Sequence, residues 1–375
     1  MPSGMAALQG LGLLPLPADV THSNLRCWSF WLEGMPLFSR DEPEADAEAC
    51  VLVDPDSLLS WLAAELERQP SATLRLGSGV SALLEEGGRI RGVRLDSGAR
   101  VPADLVVACD GRGSRLRRWG GLEAGSLERP IDVLWFELEA PASDALKAVL
   151  AGRFHTLLGD SGSMALHASP SGSVQLAWPL QAGQRQPRTA QEWRDLWCRL
   201  APPQLAEALL AVPPEAIRGP QRLAVQVGLA RRWWRPGLLL LGDAAHPMSP
   251  VRAQGTAMGL RDALAAAPLL HQALAAPAGS ARQAALDAAL EQLERQRRPE
   301  ITLIQRLQQR EWQRGQRLMQ APLLRRLLAA LAPGLGPLLA GLWWQSQGDL
   351  RQGLDSALPS DRDLTAMMGP ASASP

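Results

Sequence analysis

Asp243 and the glycines near it form the part of this sequence best suited to chemistry with a bound molecule. The preceding residues, 238–241, are an uncharged apolar run, which is typical of a buried strand. Gly255 follows shortly afterwards and precedes a stretch rich in alanine and leucine, 256–270, which predicts a helix. A carboxylate at a strand end can accept hydrogen bonds from sugar hydroxyls, and the free N–H groups of a helix start can bind phosphate. The pattern favours a nucleotide site, although Gly242-Asp243 alone also fits an ordinary strand–loop–helix connection.

A second polar turn, Asp110-Gly111, follows the apolar run 105–108. Asp-Gly is typical of a tight turn and Ser114 is a favoured N-cap residue, so the sequence predicts a strand, a turn and a helix start. Arginines cluster here, at positions 112, 115, 117 and 118. They indicate either a phosphate-binding patch or a solvated helix face, and the residues alone leave both open. Cys109, just before the turn, is expected to fill a small buried position.

Both turns belong to longer strings that resemble one family. The string GDAAHPMSPVRAQGTAMGLRDA, which starts at Gly242, resembles the second FAD fingerprint of class A flavoprotein monooxygenases, the superfamily of p-hydroxybenzoate hydroxylase and the ubiquinone-pathway hydroxylases. The string DGRGSRLR, which starts at Asp110, is similar to the DG motif of the same superfamily. Because the two strings occur in the family's order and about 130 residues apart, the sequence is identified as a member of this superfamily.

The resemblance implies where FAD is bound. In the family, the carboxylate at the position of Asp243 contacts the ribityl chain, and the backbone over 250–255 lies beside the pyrophosphate and the isoalloxazine ring. The DG motif contacts FAD and is implicated in binding NAD(P)H. The residues implied to bind the cofactors are Gly242, Asp243, Ala244, His246, Pro250, Gln254, Gly255, Thr256, Asp110, Gly111, Ser114 and Arg117. Arg252 stands where many members have small residues, a departure that could alter how the flavin or the substrate is seated.

The family's opening unit, a strand followed by a G-x-G-x-x-G turn and a helix, is not found in residues 1–375. Residues 1–12 instead resemble the family's sequence just after that unit. The string 77–82 fits G-x-G-x-x-A, but it follows only a short run and leads into no long amphipathic helix, so we expect a bent strand there. Either the reading frame begins at an upstream methionine, or the gene is split or decayed. The intact remaining motifs favour the upstream start.

The implied fold class is α/β, with a Rossmann-like parallel sheet that binds FAD and NAD(P)H and lacks its first βαβ unit, an inserted antiparallel-sheet substrate domain and a helical C-terminal tail. The expected division is a first FAD-binding part in 1–128, a substrate domain in 129–230, a second FAD-binding part in 231–280, C-terminal helices in 281–358 and a disordered tail in 359–375. Because the family's substrate sheet roofs the flavin, three residues on expected strands are candidates to line the substrate pocket: His167, Gln175 and Trp178. Trp193 and Trp197, on one face of a helix expected over 191–210, are expected in the core.

The C-terminal part predicts two helices, 281–298 and 300–319, separated by a break at Pro299. The uncharged run 327–344 that follows is near the lower length limit of a membrane span. Two prolines and three glycines within that run argue against one continuous span. A buried helical hairpin is favoured there, and a weak membrane-surface contact is the alternative.

Composition excludes several other classes of protein. The 38 basic and 38 acidic residues balance, so no net field favours nucleic acid or an acidic partner. The four cysteines and five histidines show neither metal-ligand spacing nor a disulfide framework, so we expect no metal and a reduced, cytoplasmic compartment. Tyrosine is absent, so no phenol is available to hold or activate a substrate.

Together these features predict a bacterial FAD-dependent monooxygenase that uses NAD(P)H and O2 to hydroxylate or epoxidise an apolar or aromatic small molecule. Two alternatives stay open. One is a flavin reductase, dehydrogenase or halogenase that acts on an isoprenoid-like substrate, and the other is a non-catalytic relic that no longer binds FAD. The sequence assigns no catalytic side chain, because no nucleophile triad or acid–base carboxylate pair is visible.

Overall fold

The computed structural model describes residues 1–43, 49–123, 125, 128–180, 186–187, 189–355 and 358–359. The tail expected to be disordered, 359–375, lies outside the described residues except for its first position. The strands are β1 (His22–Asn24), β2 (Cys27–Leu32), β3 (Met35–Asp41), β4 (Val51–Val53), β5 (Val80–Glu86), β6 (Arg89–Leu95), β7 (Arg100–Pro102), β8 (Val106–Ala108), β9 (Glu128–Leu138), β10 (Arg153–Gly159), β11 (Gly162–Ala168), β12 (Val174–Pro179), β13 (Ile217–Val227), β14 (Trp234–Arg235) and β15 (Leu238–Leu240). The α-helices are α1 (Pro2–Gly10), α2 (Pro55–Glu67), α3 (Arg115–Trp119), α4 (Asp144–Leu150), α5 (Ala190–Leu200), α6 (Pro203–Leu210), α7 (Gln254–Leu274), α8 (Ser280–Met319), α9 (Pro322–Gln345) and α10 (Gly348–Gln352).

The two apolar runs that precede the polar turns are neighbouring strands. β8 and β15 pair in parallel, with Val106 opposite Leu238 and Ala108 opposite Leu240. β14 completes a three-stranded sheet on the far side of β15. All three leucines of β15 are fully buried, as expected for a strand inside an α/β layer. The expected strands at 105–108 and 238–241 are therefore confirmed, and both turns leave the same edge of one sheet.

Cys109 is exposed, so the expectation that it fills a buried position is wrong. Side chains alternate along a strand, and β8 directs Val106 and Ala108 into the core. Val107 and Cys109 therefore point outward, where the described residues leave them exposed.

The G-x-G-x-x-A string is part of a small antiparallel sheet, β5-β6-β7. β5 begins directly after Gly79, so the string leads into a strand, as expected. The carbonyl oxygen of Gly79 accepts a hydrogen bond from the N–H of Asp96, which joins the start of β5 to the end of β6. The string thus has a structural explanation within the hairpin.

A larger sheet has the strand order β13-β9-β12-β11-β10-β2-β3 among the described residues. Its neighbours are antiparallel except for β10 and β2, which are parallel. The antiparallel substrate sheet predicted from the sequence is thus present. Two of its strands, β2 and β3, come from before residue 42, so the boundary placed between 128 and 129 does not separate the two sheets.

One face of the large sheet is covered by α4, α5 and α6. Trp193 and Trp197 of α5 are buried against Phe136 of β9, which confirms them as core residues. The single helix expected over 191–210 is instead two helices. Pro203 begins the second one, because a proline fits the first turn of a helix but not its interior.

The break expected at Pro299 is absent, and α8 runs without interruption through that position. Arg297 and Glu300, on either side of the proline, are fully buried and paired with residues of α7. This packing holds the helix together at a residue that cannot donate a backbone hydrogen bond. α7 also packs against α1, where a Cβ on Gly4 would lie 3.1 Å from the Cβ of Ala257.

The hairpin expected over 327–344 is also wrong, because α9 is one helix despite Pro333 and Pro337. Its buried face consists mainly of small residues: Ala329, Ala332, Gly336 and Ala340. At Gly336 a Cβ would lie 3.0 Å from the carbonyl oxygen of Leu37 in β3. This close approach packs the helix against the edge strand of the large sheet.

Candidate functional site

Arg117 joins the two polar turns that the sequence analysis singled out. Its Nη1 donates a hydrogen bond to the carbonyl oxygen of Ala244 at 2.7 Å, and its Nη2 donates to that of Arg112 at 2.9 Å. The side chain is buried, and burial lowers the pKa of Arg117 while Asp110 acts in the opposite direction. Two segments that are distant in sequence therefore form one surface at the edge of the parallel strands.

The turn at Asp110 is held by hydrogen bonds to its own helix. The Asp110 carboxylate accepts from the Ser114 hydroxyl at 2.5 Å and from the N–H groups of Arg115 and Leu116 at 2.8 and 3.1 Å. The Ser114 hydroxyl in turn accepts from the N–H of Arg117, which makes Ser114 the N-cap of α3, as predicted. Asp110 and Ser114 therefore shape the turn, and the exposed backbone beside them is that of Gly111, whose φ of +78° favours glycine.

Asp243 lies where three segments meet. Its carboxylate is one third exposed and stands 3.9 Å from Nε of Arg112 in the other turn. A Cβ added to Gly255, at the start of α7, would lie 3.9 Å from the same carboxylate. The preceding Gly242 has a φ of +56° and donates its N–H to the carboxylate of Asp262 at 3.0 Å, which fixes the direction of the turn.

The start of α7 has the properties of an anion site. Arg252 and Ala253 have φ values of 61° and 48°, and no side chain caps the helix. The first N–H groups of such a helix lack partners within it and carry the positive end of the helix dipole. The neighbouring surface is open: Thr256 and Pro250 are exposed, and a Cβ on Gly259 would meet nothing within 4 Å. An uncapped, accessible helix start beside a carboxylate can bind a phosphorylated sugar alcohol.

His246 and Gln254 were also predicted to bind the cofactor, but both side chains are buried. His246 places Nε2 2.6 Å from the carboxylate of Asp262. Gln254 donates to the carbonyl oxygen of Leu350 at 2.6 Å, and more weakly to that of Arg252 at 3.3 Å. These two residues hold the loop from inside, whereas Asp243 and the backbone of 255–256 are presented at its surface.

A buried group of charges that the sequence analysis missed lies beneath this loop. Nε of Arg297 donates to Asp262 at 2.8 Å, and Arg297 also pairs with Glu300. Arg261 donates to Glu300 at 2.6 Å. Burial acts to raise the pKa of Asp262, but the interactions with His246 and Arg297 outweigh it and lower that pKa to about 2. The sequence signal for this group was the pair Arg297 and Glu300 on either side of Pro299. No local sequence pattern connects that pair to Asp262.

Arg252, noted above as unusual for the family, is enclosed by an aromatic cage formed by Trp28, Phe30 and Trp343. Its guanidinium carbon lies 4.8, 5.4 and 4.8 Å from the three ring centroids, respectively. Glu311 of α8 forms an ion pair with the same guanidinium. A cation over aromatic faces is attracted by the ring quadrupoles. The cage comes from β2 and α9, which are distant in sequence, so reading the loop alone could not reveal it.

The three predicted pocket residues do not share one face of the large sheet. His167 stacks on Phe154 at 5.4 Å, and Phe154 in turn lies 5.0 Å from Trp28 of the cage. Gln175, directly opposite His167, accepts a hydrogen bond from Nε1 of Trp135 at 2.6 Å.

Trp178 lies three positions after Gln175 along β12, and because side chains alternate along a strand it points to the other face. There it is fully buried against Trp193 of α5. Its assignment to the pocket is therefore corrected to the helix-covered core. Burial lowers the pKa of His167, so this residue presents a neutral ring to the cage side of the sheet.

Comparison with known proteins defines the family. A family model described as an FAD binding domain matches residues 37–303, which is more than half of the chain. The chain therefore belongs to the FAD-binding family of class A flavoprotein monooxygenases. The fold class predicted from the sequence, a Rossmann-like FAD-binding fold with an antiparallel sheet and a helical C-terminal region, is that of this family.

Several curated relatives are similar in sequence. The 6-methylpretetramide 4-monooxygenase of Streptomyces rimosus is 35% identical over 232 residues, which cover 60% of this chain and 53% of the relative. Protoasukamycin 4-monooxygenase of Streptomyces nodosus subsp. asukaensis is 31% identical, with 66% and 60% covered. Ubiquinone hydroxylase UbiL of Rhodospirillum rubrum is 30% identical, with 61% and 51% covered. The chain thus spans between 51% and 60% of the length of these relatives.

Solved structures share the fold at lower identity. The p-nitrophenol 4-monooxygenase PnpA of Pseudomonas putida has a TM-score of 0.69 at 18% identity, with 95% of this chain and 87% of that chain covered. PqsL of P. aeruginosa in complex with 2-aminobenzoylacetate has a TM-score of 0.68 at 20% identity, with 88% and 86% covered. HpxO of Klebsiella pneumoniae, complexed with FAD and uric acid, has a TM-score of 0.60 at 20% identity, with 98% and 85% covered.

The residues present fit the ribityl and pyrophosphate portion of FAD. The fit rests on two observations: the uncapped N-terminus of α7 is accessible, and Asp243 lies between it and the turn at Gly111. The glycines at 111, 113 and 259 face open space, which leaves room for a ligand against the backbone. The adenosine side of the site has no equivalent set among the described residues.

Proposed function

We propose that this chain carries the flavin and substrate portion of an FAD-dependent monooxygenase that uses NAD(P)H and O2. The observation that carries the proposal is the juxtaposition of Asp243, the uncapped start of α7 and the turn at Asp110, all beside the cage side of the large sheet. FAD, when bound, would supply the redox chemistry and the activation of O2. The protein would bind and orient the flavin and the substrate, and would exclude water from the site.

The roles of this chain's residues follow from their positions. Asp243 would accept hydrogen bonds from ribityl hydroxyls, and the N–H groups of Gly255 and Thr256 would bind the pyrophosphate. Arg117 would keep the two turns at a fixed separation through its hydrogen bond to Ala244. None of these groups takes part in proton transfer, which agrees with a reaction whose chemical steps reside in the cofactor.

The substrate class proposed is a planar aromatic or conjugated small molecule. It is supported by the face that carries Phe154 and His167, whose rings stack at 5.4 Å beside the cofactor loop, with the buried ring of Trp28 tilted against Phe154 at 5.0 Å. Aromatic surfaces bind flat, apolar rings by offset stacking and exclude water from them. The similar relatives are named a 6-methylpretetramide 4-monooxygenase, a protoasukamycin 4-monooxygenase and a ubiquinone hydroxylase, and these names support a small organic substrate.

Binding of FAD is the direct test. The purified chain is titrated with FAD, and the visible spectrum and flavin fluorescence are recorded for wild type, Asp243→Ala and the exposed control Asp19→Ala. We expect binding by wild type and the control, and an affinity at least tenfold lower for Asp243→Ala. A chain that leaves FAD unbound in all three proteins contradicts the proposal and favours the non-catalytic relic.

The monooxygenase step is tested with the FAD-loaded protein. NADH or NADPH oxidation, O2 uptake and product mass are measured with a panel of phenols and quinols. We expect uptake of O2 that depends on the aromatic compound and a product heavier by one oxygen atom. Reduction of FAD by NAD(P)H without oxygen transfer to any compound would instead indicate a flavin reductase.

A further inference from the structure

The outward side of α9 is apolar along its whole length. Its exposed leucines, here called the leucine face, are Leu323, Leu324, Leu327, Leu331, Leu338 and Leu342, with exposed fractions of 82, 47, 56, 47, 60 and 56%. Leu323 and Leu324 are adjacent, and the leucines from Leu324 onward recur at intervals of three, four and seven residues, so all six lie on one side of the helix. Arg326 and Gln345 are the only polar residues among the exposed positions of α9. A helix on the surface of a soluble protein normally shows the opposite distribution.

α9 is also long and apolar enough to cross a membrane by length and composition, and most of its apolar stretch is not buried inside the protein. It is, however, held flat against the protein. Arg325 is buried and ion-paired with Glu33 and Asp160, and Gly336 touches the backbone of β3. Separation of this helix from the sheet would leave the Arg325 charges unpaired. The geometry therefore suits a helix that lies along an apolar phase with only its outer side immersed.

A row of arginines lies in the last turns of α8, before the chain enters α9 and its leucine face. Four arginines, here called the arginine face, are exposed on one side of α8: Arg306, Arg310, Arg314 and Arg317. Their spacing of four, four and three residues places them on a single stripe. None of the four forms an ion pair within the part of the chain that the structure describes. Glu311, between them in sequence, points inward to Arg252.

We propose that the leucine face and the arginine face together dock this protein on an anionic lipid surface. The leucines alone would fit either lipid or a second copy of the chain. The arginines decide between the two, because the outer side of α9 offers no carboxylate to pair with them, whereas anionic headgroups do. Asp160, an acidic side chain beside the start of α9, is already paired with Arg325 and Arg326. The inference does not depend on FAD binding.

Vesicle sedimentation tests the proposal with the full chain. Vesicles of phosphatidylcholine alone and of phosphatidylcholine with phosphatidylglycerol are compared, at low and high salt. We expect binding to the anionic vesicles that weakens at high salt, since screening reduces the attraction of surface charges. Binding to neutral vesicles should be at least tenfold weaker.

Two double variants separate the contributions of the leucine face and the arginine face to vesicle binding. Leu327→Gln with Leu338→Gln should abolish binding to both vesicle types, and Arg310→Gln with Arg314→Gln should remove the preference for anionic lipid. Leu210→Gln on α6 and Arg100→Gln on β7 are exposed controls and should bind as wild type does. Circular dichroism checks that each variant folds.

Two results would overturn the proposal. One is vesicle binding that survives the double leucine change. The other is a wild-type protein that ignores vesicles but forms a dimer, measured by light scattering, that the same leucine change dissociates. The second result would assign the leucine face to a second copy of the chain.

Discussion

His246 and Asp262 form a fully buried hydrogen bond of 2.6 Å that connects the loop after β15 to helix α7. The same carboxylate accepts the N–H of Gly242, directly before the predicted ribityl contact. The buried carboxylate of Asp262 therefore helps to set the position of the partly exposed Asp243. The role of the buried charges beneath the loop can therefore be measured by substitution of Asp262.

Asp262→Asn removes a buried negative charge while it keeps the size of the side chain. Arg297 then loses its partner on α7, and a buried charge without its partner is costly, so we expect the free energy of unfolding to fall by about 3 kcal/mol. Urea denaturation followed by circular dichroism measures the change. Asp19→Asn, at an exposed position, should change the free energy of unfolding by less than about 0.5 kcal/mol.

Asp262→Asn should also change how the free energy of unfolding falls at acid pH. The pKa of Asp262 is lowered from 3.8 to about 2 in the folded protein, so the unfolded chain takes up the proton at a higher pH than the folded chain does. The resulting stabilisation, about 2 kcal/mol, is present above pH 3.8 and is lost as the pH falls toward 2. Asp262→Asn should lack this loss. An unchanged acid limb in the variant would mean that other carboxylates produce it.

His155 predicts a separate effect at milder pH. Burial lowers its pKa from 6.5 to about 4, and Arg153 adds to the shift. The unfolded chain is protonated at this site below pH 6.5 but the folded chain is not, so the free energy of unfolding should fall by about 3 kcal/mol from pH 6.5 to 4. Denaturation at a series of pH values measures the slope.

His155→Gln keeps an acceptor for Nε1 of Trp31, which donates to the histidine at 3.0 Å. This variant should flatten the slope between pH 6.5 and 4. His22→Gln, at an exposed histidine, should leave the slope unchanged. A slope that persists in the His155 variant would contradict the assignment.

Arg252→Ala should empty the aromatic cage and leave Glu311 without its cation. We expect a loss of about 2 kcal/mol in the free energy of unfolding and a shift in tryptophan emission, because Trp28 and Trp343 lose the charge above their rings. Denaturation monitored by fluorescence gives both quantities. Arg40→Ala is the matched control, since Arg40 is exposed and stacks on Trp344 at 4.9 Å; its stability loss should not exceed about 1 kcal/mol.

Arg117→Gln should separate the two turns. The carbonyl groups of Ala244 and Arg112 lose their donors, so we expect the free energy of unfolding to fall by about 2 kcal/mol and FAD affinity to drop with it. Calorimetry and FAD titration are the measurements. Arg118→Gln is the control, because Arg118 is exposed and, among the described residues, its side chain donates only to the carbonyl oxygen of Gly113. Equal effects in the two variants would contradict a specific role for Arg117.

The sequence was sufficient to predict those features that depend on neighbouring residues. The strands before Asp110 and Asp243, the N-cap at Ser114 and the helix after Gly255 each depend on a few neighbouring residues, and each was predicted within a few positions. The family resemblance added the cofactor class, which composition could not have supplied.

The sequence was insufficient where packing between distant segments decides. Pro299 was expected to end a helix, but the buried pairs of Arg297 and Glu300 with α7 keep α8 continuous. Trp28 and Trp343 form the cage only because β2 and α9 meet, and β2 is paired on one side with β10, which lies more than a hundred residues downstream. Trp178 was placed on the wrong face because its strand alternation was not followed from Gln175.

The buried charges beneath the loop have a consequence for how this site can change over time. Asp262 and Glu300 balance Arg261 and Arg297, and at Gly353 a Cβ would lie 2.4 Å from a Glu300 oxygen. A single exchange at any of these positions leaves an interior charge uncompensated or a carboxylate displaced. Members of the family that differ here should therefore differ at two or more of the positions together, so covariation among them would trace the interior support of the flavin loop.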